Sequence, residues 1–163
     1  MKNKEIKSEE TQMTNRTIAK EVNMPPPLTT RQVAETWFSY LEEGNMQGAR
    51  SLLDEHVVWE NIPSTPGVSD LVPWLGTYQG IPAAMKSIEV WAQHARLLSF
   101  KLLRLIVDGS EAVGIVHEHG QVLANNNEYD VYVAENIRIE AGKVTHYRVF
   151  WDVSPIIKAL RNI

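Results

Sequence analysis

The change of hydrophobic period along the chain constrains its fold most strongly. From residue 99 onward, apolar side chains recur at every second position in four runs separated by short polar turns: 99–107, 111–123, 129–140 and 143–152. A period of two predicts strands, and consecutive strands joined by turns of a few residues pair antiparallel. The second half of the chain therefore predicts a four-stranded antiparallel meander.

Helical spacing dominates the chain before residue 99. The apolar pattern predicts three helices and one strand ahead of the meander and a short helix after it: helices 30–43, 47–55, 81–96 and 154–161, and strand 57–62. The proline- and glycine-rich stretch 63–80 predicts a long loop. Helices that precede an antiparallel sheet indicate an α+β fold, and a twisted sheet wrapped against helices leaves room for an apolar cavity.

The first 27 residues differ from the rest of the chain. All thirteen aromatic residues lie after position 36, and a Pro25–Pro27 run closes this segment. Few apolar groups and a stiff proline run predict a flexible extension over 1–27, with a short helix that docks on a partner as the alternative. Residues 28–163 are then one α+β domain.

Composition excludes several classes of function. The net charge is −4, with the acidic excess after residue 24, which argues against a nucleic-acid partner because phosphate binding needs clustered cations. No stretch reaches the roughly 18 apolar residues of a membrane span or resembles a secretory signal, so we expect a cytoplasmic protein without a membrane partner. The absence of cysteine removes disulfides, thiolate metal sites and a cysteine nucleophile.

Strand parity indicates which side chains face inward. Side chains alternate between the two faces of a strand, so the apolar set on each strand identifies the buried face. The inward sets are Val131, Val133, Glu135, Ile137 and Ile139 on one strand, Tyr147, Val149 and Trp151 on the last, and Val57, Trp59 and Asn61 on the first. Run 111–121 is ambiguous, because both of its faces are apolar at the start and polar at the end.

Four segments together carry a family resemblance: DEHVVWENIP, PWLGTYQG, EYDVYVAENIRIEAGKVTHYR and WDVSPIIKAL. With them the chain resembles the SnoaL-like proteins of the nuclear transport factor 2-like superfamily over roughly residues 30–161. The resemblance implies a cone-shaped barrel, in which a highly curved antiparallel sheet packs on three N-terminal helices and encloses a small-molecule pocket, and a homodimer that forms through the sheet. The superfamily includes polyketide cyclases, ketosteroid isomerases and limonene-epoxide hydrolases, so the resemblance implies the fold more strongly than the chemistry.

The epoxide-hydrolase branch allows a residue-by-residue comparison. Asn61 matches the water-holding Asn of that branch, Trp59 takes the place of a water-holding Tyr, and Glu118 matches the proton donor. Val116 stands in place of the bridging Arg, and Val149 in place of the Asp that activates water. Because a buried aliphatic side chain cannot take a proton, we do not expect epoxide hydrolysis. The same match places Val116 and Glu118 on the pocket face.

Glu118 and Asn61 are the candidate catalytic residues. A carboxyl group in an apolar pocket has a raised pKa and suits general acid or base work, although Glu118 could equally form a structural hydrogen bond or ion pair. Asn61 could orient a substrate oxygen or stabilise the turn before Pro63. The predicted substrate-binding residues are Trp59, Trp74, Tyr78, Val116, Val131, Val133, Glu135, Tyr147, Val149 and Trp151. Trp74 and Tyr78 form a lid or only anchor their loop; Trp91 is interpreted as core packing.

No metal or other cofactor is expected. His117 and His119 share one face of a strand, but no third ligand follows at a suitable spacing, so we interpret them as a surface pair. The first functional hypothesis is cofactor-independent proton transfer of the isomerase, cyclase or lyase type on a hydrophobic, carbonyl-bearing small molecule. The alternative is a non-catalytic binding or carrier protein. A third hypothesis, a dimerisation module, predicts no enclosed cavity.

Overall fold

A computed structural model describes residues 27–63, 66–68 and 70–161 of the 163-residue chain. The predicted extension 1–27 lies outside the described residues except for Pro27, so its flexibility stays a prediction, as does the domain boundary at 28. None of the helices in the described part of the chain has the length and apolar character that crossing a bilayer requires.

The fold is α+β, as predicted. The elements in chain order are α1 (Thr30–Glu42), α2 (Met46–Ser51), β1 (Leu53–Asn61), β2 (Gly76–Gln79), α3 (Gly80–His94), β3 (Ala95–Asp108), β4 (Glu111–Val122), β5 (Glu128–Glu140), β6 (Lys143–Trp151) and α4 (Ser154–Arg161). The three helices expected before the meander are present, and so are the four strands of the meander itself. Helix α2 is shorter than predicted, because strand β1 begins at residue 53 rather than 57.

Helix α1 begins where the sequence predicts. Thr29 is its N-cap: the Thr29 hydroxyl accepts a hydrogen bond from the Gln32 backbone N–H, and the Gln32 side chain accepts one from the Thr29 backbone N–H. This capping box satisfies two donors that the first helical turn would otherwise leave unpaired. The apolar face of the helix, with Trp37 and Phe38 at its centre, is buried against the sheet.

The six strands form one curled, unclosed sheet in the order β2-β1-β6-β5-β4-β3. Pairing is antiparallel throughout the meander, as predicted, while β1 and β6 pair in parallel. The expectation that 63–80 is all loop is wrong at its end, because Gly76–Gln79 forms β2 and pairs antiparallel with β1. This short edge strand depends on its partner and has too few residues for a hydrophobic period of its own.

Two irregularities in β3 bend the sheet around the helices. The pairing register between β3 and β4 shifts between Leu97 and Ser99 and again between Leu102 and Arg104. A β-bulge inserts one unpaired residue and increases the local twist. Each shift leaves two consecutive residues exposed, which places the side chains of Leu98 and Leu103 on the outside of the sheet.

Glycines on β4 allow aromatic rings to lie directly on the inner face of the sheet. A Cβ added to Gly114 would come within 2.2 Å of the Phe38 ring, and one added to Gly120 within 2.3 Å of the Tyr129 ring. These separations are far below van der Waals contact, so any side chain at either position displaces a ring. Helix α1 therefore packs at a distance from the sheet that Gly114 determines.

We predict that Gly114→Ala destabilises the protein by about 1 to 3 kcal/mol, because the new methyl group overpacks the contact with Phe38. The measurement is the free energy of unfolding from urea denaturation. The double variant with Phe38→Leu should recover part of that loss relative to Phe38→Leu alone. Strictly additive effects of the two substitutions would contradict the packing explanation.

Candidate functional site

A cavity of about 300 Å³ lies between the inner face of the sheet, helix α3 and the turn from α1 to α2. Its wall is mostly aromatic and aliphatic. The residues that line it are Leu41, Gly44, Met46, Trp59, Asn61, Trp74, Ser87, Ile88, Trp91, Leu97, Phe100, Glu118, Tyr129, Val133, Glu135, Tyr147, Val149 and Trp151. The cavity is partly open, and its volume is at the lower end of the range for small-molecule sites.

Most of the residues predicted for the site come together around this cavity. They belong to strands β1, β4, β5 and β6 and to the loop before β2. The strand residues face the cavity because side chains alternate between the two faces of each strand. Those that line the cavity are Trp59, Asn61, Trp74, Glu118, Val133, Glu135, Tyr147, Val149 and Trp151. The ambiguous strand β4 turns Glu118 inward, on the face that the resemblance implied.

Three predicted residues do not border the cavity. Val116 and Val131 lie on the inner face of the sheet but are packed into the core, with 0% and 4% of their surfaces exposed. Tyr78 belongs to β2, where its hydroxyl lies 3.1 Å from the Trp74 carbonyl oxygen. Tyr78 thus anchors the loop that carries Trp74, which was the alternative to a lid.

Sequence reasoning missed several lining residues, Trp91 and Tyr129 above all. The helical spacing predicts core packing for Trp91, yet Trp91 lines the cavity. A hydrogen bond between the Trp91 indole N–H and the Tyr129 hydroxyl joins α3 to β5. Tyr129 has the same parity on β5 as Glu135, so the alternation in the sequence was enough to place Tyr129 on the inner face. Phe100 follows a register shift in β3 that strict alternation cannot anticipate.

Glu118 lines the cavity from strand β4. Its carboxyl group lies beside Tyr129 and pairs across the sheet with Phe100 and Val131, so its surroundings are apolar and aromatic. Burial raises the pKa of Glu118 to about 7. Burial also raises the pKa of Tyr129 to about 12. The charge of Glu118 adds to this rise, and the hydrogen bond from Trp91 opposes it.

Glu135 lies deeper, two inward-facing positions further along the sheet from Glu118, and only 2% of its surface is exposed. Burial and the nearby charge of Glu118 raise the pKa of Glu135 to about 8, although a hydrogen bond with Tyr147 and the proximity of the Trp37 indole oppose this rise. Burial, together with the charges of Glu135 and Glu118, also raises the pKa of Tyr147 well above its ordinary value. The two carboxyl groups are therefore electrostatically coupled.

Several polar atoms around the cavity have no hydrogen-bond partner among the described residues. They are Glu135 Oε2 and the indole nitrogens of Trp37, Trp59 and Trp151. Buried polar groups are ordinarily paired, because an unpaired one costs roughly 1 to 3 kcal/mol. Trp59, Glu135 and Trp151 all line the cavity, so its wall keeps hydrogen-bonding capacity that the protein itself does not use.

Asn61 connects the cavity wall to the loop that precedes β2. Its side-chain amide donates a hydrogen bond to the Trp74 carbonyl oxygen over 3.1 Å. Asn61 on β1 pairs with Val149 on β6, and Val149 pairs in turn with Glu135 on β5. Glu118 lies on β4, so strands β6 and β5 separate it from Asn61. A ligand that touches both predicted catalytic residues must therefore span the cavity.

The histidine pair lies on the outer face of the sheet. His117 Nε2 bonds the Asp130 carboxylate, and His119 Nε2 lies 2.9 Å from Glu128 Oε2. Within residues 27–63, 66–68 and 70–161, no three His, Asp or Glu side chains gather in an arrangement that could hold a metal ion. The cavity instead presents two protonatable carboxyl groups on an aromatic wall, a set of groups that can move protons.

Comparisons with known proteins agree with this architecture. Residues 34–147 match the SnoaL-like domain family. No curated protein sequence matches the chain. Among solved structures, similar folds occur in a nuclear transport factor 2-like protein from Burkholderia thailandensis (TM-score 0.71, 18% identity, 82% of this chain and 98% of that one), in a candidate polyketide cyclase from Pseudomonas putida (0.64, 18%, 81% and 98%) and in an LEH-like epoxide hydrolase from M. tuberculosis (0.61, 14%, 85% and 93%).

We predict that the protein loses stability as the pH rises from 5 to 8.5. Above about pH 4.5 the unfolded chain ionises both glutamates, whereas the folded chain keeps them protonated up to about pH 7 and pH 8. The folded state then binds more protons, so the free energy of unfolding falls by at least roughly 2 kcal/mol over this range. Urea denaturation at several pH values measures it.

Glu135→Gln should flatten this dependence, because glutamine cannot ionise, and should be more stable than the parent protein at pH 8.5. Glu140→Gln, at the exposed end of the same strand, is the matched control and should leave the dependence unchanged. A parent protein whose stability is constant between pH 5 and 8.5 would contradict the raised pKa values.

Proposed function

Because this chain belongs to the SnoaL-like domain family, we propose that it is an enzyme that moves a proton on a hydrophobic, carbonyl-bearing small molecule without a cofactor. The fold and its relatives indicate a protein that binds a small molecule or catalyses a reaction on one. The finer proposal, chemistry of the isomerase, cyclase or lyase type, is supported chiefly by the position of Glu118 in the cavity.

Glu118 has the properties that a general acid or base needs. Its carboxyl group lines the cavity, and its pKa of about 7 leaves it part protonated and part ionised near neutral pH. A group that exchanges its proton near the working pH is efficient in both directions of proton transfer. In the ionised form Glu118 would take a proton from a carbon next to a carbonyl group, and in the protonated form it would return one.

The rest of the cavity suits a flat, mainly apolar substrate. Trp59 stacks on Tyr147 with ring centroids 3.8 Å apart, and Trp151 and Val149 continue this wall along β6. Asn61 would hold a substrate oxygen at the far side from Glu118. Since β6 and β5 separate these two residues in the sheet, the proposed substrate carries its carbonyl oxygen and its acidic C–H on an extended conjugated or fused-ring body.

A non-catalytic binding or carrier function is the alternative. The positions that resemble those of epoxide hydrolases favour it, because Val116 and Val149 stand where that branch uses an Arg and an Asp. Val116 is fully packed in the core, and Val149 lines the cavity as an aliphatic surface. A carrier would keep the same apolar ligand bound and leave its protons in place.

Deuterium exchange tests the enzyme proposal without knowledge of the natural substrate. We expect the protein to accelerate exchange of the α-protons of an aryl ketone such as 1-indanone in D2O, measured by proton NMR. Glu118→Gln should slow this exchange by at least about 100-fold, since general-base catalysis commonly contributes that much. The rate should rise with pH through an apparent pKa of about 7, because only ionised Glu118 accepts a proton.

Glu140→Gln is again the control and should exchange at the rate of the parent protein. Equal rates for the parent and Glu118→Gln would show that Glu118 is not the base. Ketone binding without accelerated exchange in any protein, seen as a change in tryptophan fluorescence, would select the carrier alternative.

We also propose that the protein forms a homodimer through the outer face of β4, β5 and β6. Two large rings, Tyr132 and Phe150, are 66% and 46% exposed there. Charged side chains of both signs lie on the same face, including Arg138 and Glu111, so the face can meet a second copy with complementary charges. The cytoplasmic location and the lack of nucleic-acid and membrane partners stay predictions from the sequence.

Multi-angle light scattering on a size-exclusion column should give the mass of a dimer. Tyr132→Glu should raise the dissociation constant by at least about tenfold, because it places a charge at the centre of the contact. Leu28→Glu makes the same kind of change at an exposed position outside this face and should leave the dimer intact. A monomeric parent protein would refute the proposal.

A further inference from the structure

Glu135 is a buried carboxyl group whose hydrogen bonds are incomplete. The Tyr147 hydroxyl bonds the carboxyl group and the Trp37 indole lies close to it, while Oε2 has no hydrogen-bond partner in good geometry among the described residues. The side chain lines the cavity, and only 2% of the residue surface is exposed. A buried carboxylate is costly unless a cation or a full set of donors compensates its charge.

The described wall of the cavity supplies no such cation. Its ionisable side chains are Glu118, Glu135, Tyr129 and Tyr147, and no Lys, Arg or His of the described chain lines it. The arginines of β5 and β6 lie on the outer face of the sheet, where each of them already pairs with a carboxylate. Arg148 pairs with Glu60, and Arg138 pairs with Glu111.

The aromatic wall provides a second, independent feature. Four tryptophans line the cavity, and one of them, Trp59, is stacked on Tyr147. The faces of indole and phenol rings carry negative electrostatic potential and attract an ammonium group, with a strength that increases when the pair is removed from water. Two acidic side chains on an aromatic wall thus favour a positive charge and disfavour a carboxylate or phosphate.

We propose that the ligand of this cavity is a hydrophobic organic cation, an apolar ring system that carries a protonated or quaternary nitrogen. The inference rests on the proposed function in that it concerns the same cavity and names the class of its substrate. The nitrogen lies toward Glu135 and Glu118, and the apolar body packs on Trp59 and Trp151. Binding then supplies the charge that the protein's own side chains lack.

Three probes with one apolar body test this proposal. 2-Phenylethylamine, 2-phenylethanol and 3-phenylpropionate present a cation, a neutral group and an anion on a phenyl ring with a two-carbon link. Quenching of tryptophan fluorescence in the full chain at pH 8.5 measures their dissociation constants. We expect the amine to bind at least about tenfold more tightly than the alcohol, and the carboxylate to bind most weakly.

Variants identify the source of the preference. Glu135→Gln should weaken amine binding by at least about tenfold and leave alcohol binding within about threefold, because only the charge is removed. Glu118→Gln is the second variant, should Glu135→Gln fail to fold, and should reduce the preference in the same direction. Glu140→Gln should change neither constant. At pH 6 the amine preference of the parent protein should shrink, since both carboxyl groups then take up protons.

The outcomes separate this inference from the proposed function. Equal binding of amine and alcohol, or an amine preference that survives in both Glu variants, would overturn the inference and leave the ketone-exchange proposal standing. Ketone exchange that depends on Glu118, found together with tighter binding of the alcohol than of the amine, would also overturn the inference and leave the ketone-exchange proposal standing. Failure of all three probes to bind at millimolar concentration would overturn the inference and also count against a ligand-binding cavity.

Discussion

The contact among Trp37, Trp59 and Tyr147 is the interaction on which the rest of the structure depends. Trp59 and Tyr147 stack across the parallel pair β1 and β6, and the Trp37 ring from α1 lies 5.8 Å from Tyr147 and 6.3 Å from Trp59. This cluster joins the helical layer to the sheet. The cluster also lies beside Glu135, because Tyr147 both contacts the Trp37 ring of α1 and hydrogen-bonds the Glu135 carboxyl group.

The two carboxyl groups of the cavity are costly to ionise. A core of this size could bury aliphatic side chains alone, yet Glu118 and Glu135 occupy inward positions where burial raises their pKa values to about 7 and about 8. The charge of Glu118 adds to the cost of ionising Glu135, and no basic side chain of the described wall offsets it. Perturbed carboxyl groups in a cleft are typical of functional sites. The same groups make the stability of the protein dependent on pH.

Much of the fold and part of the site were predictable from local signals. The helical period of α1 and the alternation along β5 and β6 each act within a few residues, so the sequence displays them directly. Parity turned Glu135 and Tyr147 inward for the same reason. Phe100 escaped prediction because register shifts in β3 break the alternation, and Trp91 escaped because a helical apolar face looks the same whether it meets a core or a cavity.

The sequence by itself determined the α+β class, the antiparallel meander and the inward faces of β1, β5 and β6, because hydrophobic period and turn chemistry are local properties. Only the tertiary structure decided that Gly76–Gln79 forms a strand, that Tyr78 anchors a loop and that Val116 lies in the core rather than on the cavity wall. Only the tertiary structure brought Glu118 and Glu135 within electrostatic reach. The physical reason is that pairing partners, sheet curvature and desolvation depend on residues distant in sequence, which no local pattern contains.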